Sequence, residues 1–257
     1  MGDYEVFKKQ IFALTQIDLN AYKEKQMRRR IDSLITKHGI KTYTDYVAAI
    51  KADKDKFEEF VNYLTINVSE FYRNPEQWKV LENEILPALM AKSSKLKIWS
   101  AACSTGDEPY SLVMMLSRHM PLNNIKIIAT DIDKQVLAKA KDGLYNVKSL
   151  KTLPEDLMKK YITQVNEYTY KVADEVKRCV EFKQHNLLKD LYPTDCDLIV
   201  CRNVLIYFTE EAKTEIYKKF NASLKKDGVL FVGSTEQIIQ ANTLGYATAK
   251  SFFYRKV

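Results

Sequence analysis

From Leu96 onward the chain alternates short apolar runs with amphipathic stretches, and this alternation constrains its fold more than any other feature. Strand-length runs are 96–101 (LKIWSA), 125–131 (IKIIATD), 180–184 (VEFKQ), 196–201 (CDLIVC) and 228–233 (GVLFVG). Helical spacing fits 108–119, 133–142 and 210–224, and the tail 247–256 reads as one or two antiparallel strands. Strands alternating with helices imply an α/β fold, a parallel sheet with helices on both faces. Such a sheet binds its ligand at the carboxyl ends of the strands. The stretch 145–179 breaks the rhythm. It is basic, tyrosine-bearing and long for a connector, so an inserted subdomain, a small β unit, is expected there.

The first 85 or so residues have another texture, helix after helix. In 20–38, Met27, Ile31, Leu34 and Ile35 recur at helical spacing, with Asp18 or Asn20 as cap and Gly39 as stop. A further helix follows Thr44, and another carries Phe57, Phe60, Val61 and Leu64. Asn74-Pro75 matches an N-cap followed by proline at the first helical position. That helix holds Trp78, Leu81, Ile85 and Leu89 and leads toward the sheet domain. The expected division is a helical N-terminal domain, 1–85, and a sheet domain, 86–257, carrying the insertion.

A chain of 257 residues can bury a core in each domain. No run approaches the roughly 18 apolar residues of a membrane span, and MGDYEVFKKQ lacks the apolar core of a secretory signal, so a cytoplasmic protein is expected. Cys103, Cys179, Cys196 and Cys201 form no C-x-x-C pair, and His38, His119 and His185 are scattered. No metal site is expected from such spacing; buried reduced thiols are. The net charge of +7 points to an acidic partner without naming its class. Its placement says more. Residues 23–41 hold Lys23, Lys25, Arg28, Arg29, Arg30, Lys37 and Lys41 against Glu24 and Asp32, a patch on an otherwise balanced helical domain.

The residues suited to chemistry gather at strand ends. The first strand runs into Ala101-Ala102-Cys103-Ser104-Thr105-Gly106-Asp107-Glu108-Pro109, a small-residue turn before a helix, which lets a ligand approach the backbone. With one glycine it matches neither G-x-G-x-x-G nor a phosphate-binding P-loop. Asp131 closes the second strand, where a carboxylate can accept both hydroxyls of a ribose. A helix-capping role is open to it too, but Asp133 is better placed for that. A nucleoside without phosphates fits best, and S-adenosylmethionine is the common one. His185-Asn186-Leu187-Leu188 and Cys201-Arg202-Asn203 end strands on the same edge. In Thr65–Pro75, Phe71, Tyr72, Asn74 and Pro75 suit core and cap, whereas Asn67, Ser69 and Arg73 together do not.

With these segments in view, the chain resembles the CheR-type chemotaxis receptor methyltransferases across essentially its whole length. INVSEFYRNPEQW, WSAACSTGDEPYSL, IIATDID, HNLL, DLIVCRNVLIYF and GVLFVGSTE occur in the family's order and spacing. The resemblance implies an all-helical N-terminal domain, a Rossmann-like methyltransferase domain and an inserted β subdomain. It also implies a donor pocket of Asn67, Ser69, Arg73, Glu108, Asp131, Asn186, Leu187, Arg202 and Asn203. Asp131 would hold the ribose, Asn186-Leu187 would lie by the adenine, and Arg73 would lie near the methionine end. Tyr207 would stand at the transfer site. Ser69 replaces a common threonine and Tyr72 a common phenylalanine. Some relatives dock a receptor C-terminus on a glycine-containing loop of the insertion; Thr163–Thr169 has no glycine, which argues against that contact here.

The implied reaction is methyl transfer from S-adenosylmethionine to receptor glutamates, giving methyl esters and S-adenosylhomocysteine. A glutamate of pKa about 4.3 is already ionised at neutral pH, so no general base is needed. Arg73 and Tyr207 are then expected to orient the reactants. Lys25, Arg28, Arg29 and Arg30 would meet the Glu/Gln-rich receptor helices. A monomer without nucleic-acid partner or membrane insertion is expected. Of the rivals, a nucleic-acid methyltransferase lacks here its Asp/Asn-Pro-Pro-Tyr/Phe run. A non-catalytic S-adenosylmethionine sensor would not need both Arg73 and Tyr207.

Overall fold

The computed structural model describes residues 3–257 and falls into two compact units. One takes the chain up to Asn67 together with Leu205–Glu215; the other takes Val68–Val204 and Ile216–Val257.

The first unit is built on α1 (Asp3–Thr15), α2 (Glu24–Lys37), α3 (Tyr43–Ala52) and α4 (Lys54–Thr65). The stripe Met27, Ile31, Leu34 and Ile35 is buried, as its spacing requires, and packs in a core with Phe7, Ile11, Tyr46 and Phe60. Asp18 does cap, but it caps a single 3-10 turn, Leu19–Ala21, by accepting from Asn20 N at 3.0 Å. α2 starts later, at Glu24, with no side-chain cap. Thr42 and Asp53 cap α3 and α4 through Asp45 N (3.1 Å) and Asp55 N (3.0 Å). The segment from Leu205 joins this unit by a bridge between Tyr22 and Phe208, whose rings stack at 4.6 Å.

In the second unit α5 (Pro75–Val80) passes through a π turn, Leu81–Ile85, into α6 (Leu86–Met90). Pro87 explains the turn: its ring crowds the carbonyl four residues back, so the helix widens and Leu86 N donates to Leu81 O. Trp78, Leu81, Ile85, Leu86 and Leu89 are buried in one cluster with residues of the sheet and its first helix. The helix at 75–90 therefore belongs to the second unit, and the chain divides after Asn67, earlier than the boundary near 85 expected from helical texture.

Strands β1 (Ile98–Ala101), β2 (Ile127–Asp131), β6 (Val180–Gln184), β7 (Cys196–Cys201), β8 (Leu224–Val232), β9 (Tyr246–Lys250) and β10 (Phe253–Lys256) make a seven-stranded sheet ordered β6-β2-β1-β7-β8-β10-β9. The first five are parallel, while β10 pairs antiparallel with both β8 and β9. β1 and β7 are buried throughout, which is why their sequences are near-continuous apolar runs. The connecting helices are α7 (Asp107–Leu116), α8 (Lys134–Asp142) and α11 (Glu210–Ser223).

The insertion holds β3 (Leu144–Tyr145), α9 (Glu155–Tyr161), β4 (Ile162–Gln164), β5 (Tyr170–Val172) and α10 (Asp174–Lys177). Its three strands pair antiparallel in the order β3-β5-β4. Strand order reverses between β1 and β7, the place where an open α/β sheet leaves a crevice at its carboxyl edge. All four cysteines are free and buried. Among the described residues no helix is long and apolar enough to cross a membrane, and no cluster of side chains could hold a metal.

Candidate active site

The loop leaving β1 turns sharply at this crevice. Ala102 (φ 59) and Ser104 (φ 50) are left-handed, and Gly106 has φ +89. A Cβ on Gly106 would stand 2.9 Å from Ala140 Cβ and 3.2 Å from Tyr145 Oη, so only glycine fits. The turn aims Ser104 N at Asp131 Oδ2, 2.8 Å away, while Asp133 N donates to Asp131 Oδ1 at 3.0 Å. Asp133 itself caps α8 through Gln135 N at 2.8 Å. Asp131 thus accepts a backbone donor on each of its oxygens. Burial pushes its carboxyl up to about 6, against those two hydrogen bonds.

α7 opens with two acids, Asp107 buried and Glu108 partly exposed. Glu108 Oε1 accepts from Ser100 Oγ at 2.8 Å, and its Oε2 lies 3.7 Å from an Arg202 nitrogen. Burial raises the Glu108 carboxyl and the Arg202 charge opposes it. Asp107 accepts from Thr105 Oγ1 at 2.5 Å and is also hydrogen-bonded to Ser69; burial pushes it to about 6 and leaves Oδ1 without a partner.

Arg202, at the exit of β7, sits in a cradle. One guanidinium nitrogen donates to Arg73 O (2.7 Å), Asn74 Oδ1 (3.0 Å) and Gln77 Oε1 (2.9 Å). The plane lies 4.7 Å from the Phe231 ring centre and 5.8 Å from that of Trp78. Asn74 is at the N-cap position of α5 yet makes no cap bond; it has φ 61 and gives its oxygen to Arg202. Arg202 Nε and Asn203 Oδ1 are buried without partners. Between these groups is a cavity of about 40 Å³, lined by Val68, Ser69, Glu70, Arg73, Ala102, Cys103, Ser104, Glu108, Arg202 and Asn203. Arg73 is anchored by a bond from its guanidinium to Val68 O at 3.1 Å.

On the other side of Asp131, β6 ends in His185, whose N donates to Asp131 O at 2.9 Å. Asn186 Oδ1 then accepts from Leu188 N at 2.9 Å, a tight turn that leaves Leu187 nearly buried. Among the described residues, Tyr72, Asn74, Ala102, Ser104 and Asn203 make five of the eleven non-glycine residues with positive φ, and these five lie in the segments around this edge. Each costs on the order of 1 kcal/mol or more, and such concentration of strain is typical of a functional site.

The second unit therefore brings together Ser69, Arg73, Glu108, Arg202 and Asn203, with Asp131 and Asn186-Leu187 at the ends of neighbouring strands. The remaining residues singled out from the sequence belong to the helical unit. Asn67 donates to Thr65 Oγ1 at 2.8 Å. Tyr207 is half-buried in a 3-10 turn, its carbonyl accepting from Lys23 N at 2.9 Å. On α2, Lys25 and Arg29 are exposed and without a partner among the described residues. Arg28 donates to Tyr43 Oη at 3.3 Å, and Arg30 donates to Tyr63 O at 2.6 Å and stacks on its ring.

Residues 67–252 match the CheR methyltransferase, SAM binding domain, and residues 2–65 match the CheR methyltransferase, all-alpha domain. The chain belongs to the CheR methyltransferase family. It is 42% identical over 255 residues to a chemotaxis protein methyltransferase of Listeria innocua, spanning 99% of this chain and 97% of that protein. Against the chemotaxis protein methyltransferase of Borreliella burgdorferi the identity is 35%, over 90% of this chain and 86% of the relative. For that of Salmonella typhimurium it is 32%, over 88% and 80%.

S-adenosylmethionine is accordingly the methyl donor of this enzyme, and the residues present fit it. A buried carboxylate, Asp131, closes β2, and the turn after β1 lacks phosphate-gripping glycines. Arg202 and Asn203, each with a buried polar atom that lacks a partner, line a cavity together with Glu70, Arg73 and Glu108. Sequence reasoning missed three participants. Asp107, Gln77 and Glu236 are all buried, and all lie within the quoted segments, but their partners are remote in sequence or hidden by the fold.

Proposed function

We propose that this enzyme methylates glutamate side chains of methyl-accepting chemotaxis receptors, as a cytoplasmic monomer. The observation that carries the reading is the state of α2. Lys25 and Arg29 are exposed, unpaired cations beside a hollow of about 520 Å³ lined by Glu24, Lys25, Arg28, Arg29 and Asp32. A Glu-rich helix is the complementary surface. Arg28 and Arg30, tied to tyrosines, are assigned the edge of that contact.

When bound, the donor supplies an electrophilic methyl group on a sulfonium. In this reading Asp131 accepts from its ribose hydroxyls, and Asn186-Leu187 flank its adenine. Ser69, Glu108, Arg202 and Asn203 surround the methionine end. A cavity of about 40 Å³ is far smaller than the several hundred Å³ a whole nucleoside fills. It suits the amino-acid end alone, the nucleoside then lying along the open ends of β2 and β6. Arg73 orients the incoming carboxylate, which needs no base because it is already ionised.

Incubation with tritiated S-adenosylmethionine and receptor-containing membranes tests the reading. The label is expected on receptor and should leave as methanol in mild alkali, as an ester requires. Alkali-stable label that follows lysine, arginine or a nucleobase would end the proposal.

A further inference from the structure

One segment of the second unit, Gly233-Ser234-Thr235-Glu236, follows β8 and makes none of the hydrogen bonds described above. Glu236 is 5% exposed, and one of its oxygens, Oε2, does two things. It accepts from Gly233 N at 2.8 Å, while Glu236 N returns a bond to Gly233 O at 3.0 Å, which closes the turn. The same oxygen accepts from Asn203 N at 2.6 Å. β7 and β8 are paired in parallel up to Cys201 and Val232, so the carboxylate takes over where their ladder stops and ties the two strand exits together. Turn closure alone would need only the first bond. The second falls on a residue of the donor cavity, held at φ 61, whose side-chain oxygen is buried and unpartnered.

Gly233 makes the tie possible. A Cβ there would lie 2.5 Å from Glu236 Oε2, 2.8 Å from Asn203 N and 3.0 Å from Asn203 Nδ2, so any side chain would occupy the space in which carboxylate and loop meet. Glu236 is also close enough to act electrostatically on both Arg202 and Glu108, placing a second negative charge beside the buried guanidinium.

We infer that Glu236, seated by Gly233, is a positioning residue for the methyl-donor site: it holds the Arg202–Asn203 exit of β7 in the left-handed conformation that presents Asn203 to the donor. The inference rests on the reading of this edge as the donor site. Its effect falls on donor binding rather than on the chemistry, because Glu236 acts through Asn203.

Calorimetric titration with S-adenosylhomocysteine tests it on the full-length enzyme. Glu236→Ala leaves two backbone donors unsatisfied and should weaken binding about 10–100-fold, the loss expected for charge-assisted bonds. KM for the donor should rise while kcat at saturating donor changes little. Glu236→Gln keeps the acceptor oxygen and should recover most of the affinity; Glu236→Asp, too short to reach both N–H groups, should fall between. Ile216→Ala, a buried position outside the cavity, serves as a control for general destabilisation. If Glu236→Ala does not fold, the Asp and Gln variants carry the comparison. Wild-type enzyme that binds no S-adenosylhomocysteine would remove the donor site itself and this inference with it. Wild-type binding with unchanged affinity in Glu236→Ala, or in Glu236→Asp where Ala does not fold, overturns the inference alone. So does a loss no greater than that of Ile216→Ala.

Discussion

Asp131 offers a perturbation whose sign and size follow from its surroundings. Its carboxyl is pushed to about 6 from 3.8, first by burial and also by the nearby Asp133 charge, against the backbone donors of Asp133 and Ser104. If the ionised form receives the ribose hydroxyls, donor binding requires that form. A group of pKa about 6 is about nine-tenths ionised at pH 7 and one-tenth at pH 5, so affinity for S-adenosylhomocysteine should fall about tenfold between them. Proton release should accompany binding near pH 5. Asp131→Asn should lose on the order of 2–4 kcal/mol at pH 7, because an amide offers one acceptor and must turn its NH2 toward Ser104 N or Asp133 N. The variant should also show a flatter pH profile, with Glu108 contributing what slope remains. Stability should move the opposite way. Between the unfolded and folded values the native state binds the extra proton, so the donor-free protein loses stability as pH rises from about 4 to about 6. The full span is on the order of 3 kcal/mol for this group. Asp107, also pushed to about 6, adds a similar loss that survives in the variant, so the difference between the two proteins isolates Asp131. Calorimetry in buffers of different ionisation enthalpy reads the first effect and thermal unfolding against pH the second. Identical pH profiles of affinity in wild type and Asp131→Asn would show that the carboxylate does not meet the donor as an anion.

Two further outcomes are expected. Reversing Lys25 and Arg29 to Glu should slow receptor methylation at low salt while leaving S-adenosylhomocysteine affinity intact. The deficit should shrink as salt rises, since screening acts over about 8–10 Å near physiological ionic strength; an unaltered salt profile would reduce α2 to a solvated face. Gly106→Ala places a Cβ 2.9 Å from Ala140 Cβ at φ +89 and should cost on the order of 1–3 kcal/mol in urea unfolding, with weaker donor binding; neutrality would show that the turn can relax.

The inner parallel strands β1, β2 and β7 were legible because they are buried on both faces, so CDLIVC reads as a continuous apolar run. Asp131 was legible as a candidate because it ends such a run, where position alone implies a crevice. Helical periodicity, by contrast, reports which face is buried but not on which body. Trp78 and Leu81 show a regular stripe that would suit either unit, and only packing decides that they join the sheet's core. The role of Asn74 was hidden for a related reason. Asn-Pro before a helix is a local signal, and the acceptor's real donor, Arg202, lies 128 residues away in the chain. Glu236 was in view within GVLFVGSTE, yet a carboxylate three residues past a strand reads as solvated until the fold closes Asn203 over it.

The cations of the donor edge are held in a way that bears on the proposed reaction. Transfer of a methyl group from a sulfonium to a carboxylate cancels two charges, so a strong cationic grip on the carboxylate favours the reactants over the transition state. Arg202 is prevented from exerting one. One of its nitrogens is spent on three oxygen acceptors, its plane lies against Phe231 and Trp78, and Glu108 and Glu236 offset its charge. Arg73 is anchored to Val68 O and has no acidic partner among the described residues, and in the proposed reaction this leaves it a weaker, directional contact for orienting a carboxylate without neutralising it. In the proposed reaction the acidic surface of a receptor helix meets α2, where Lys25 and Arg29 can attract charge through solvent. Attraction for the substrate and transfer to it are then served by different cations, and strengthening the first need not slow the second.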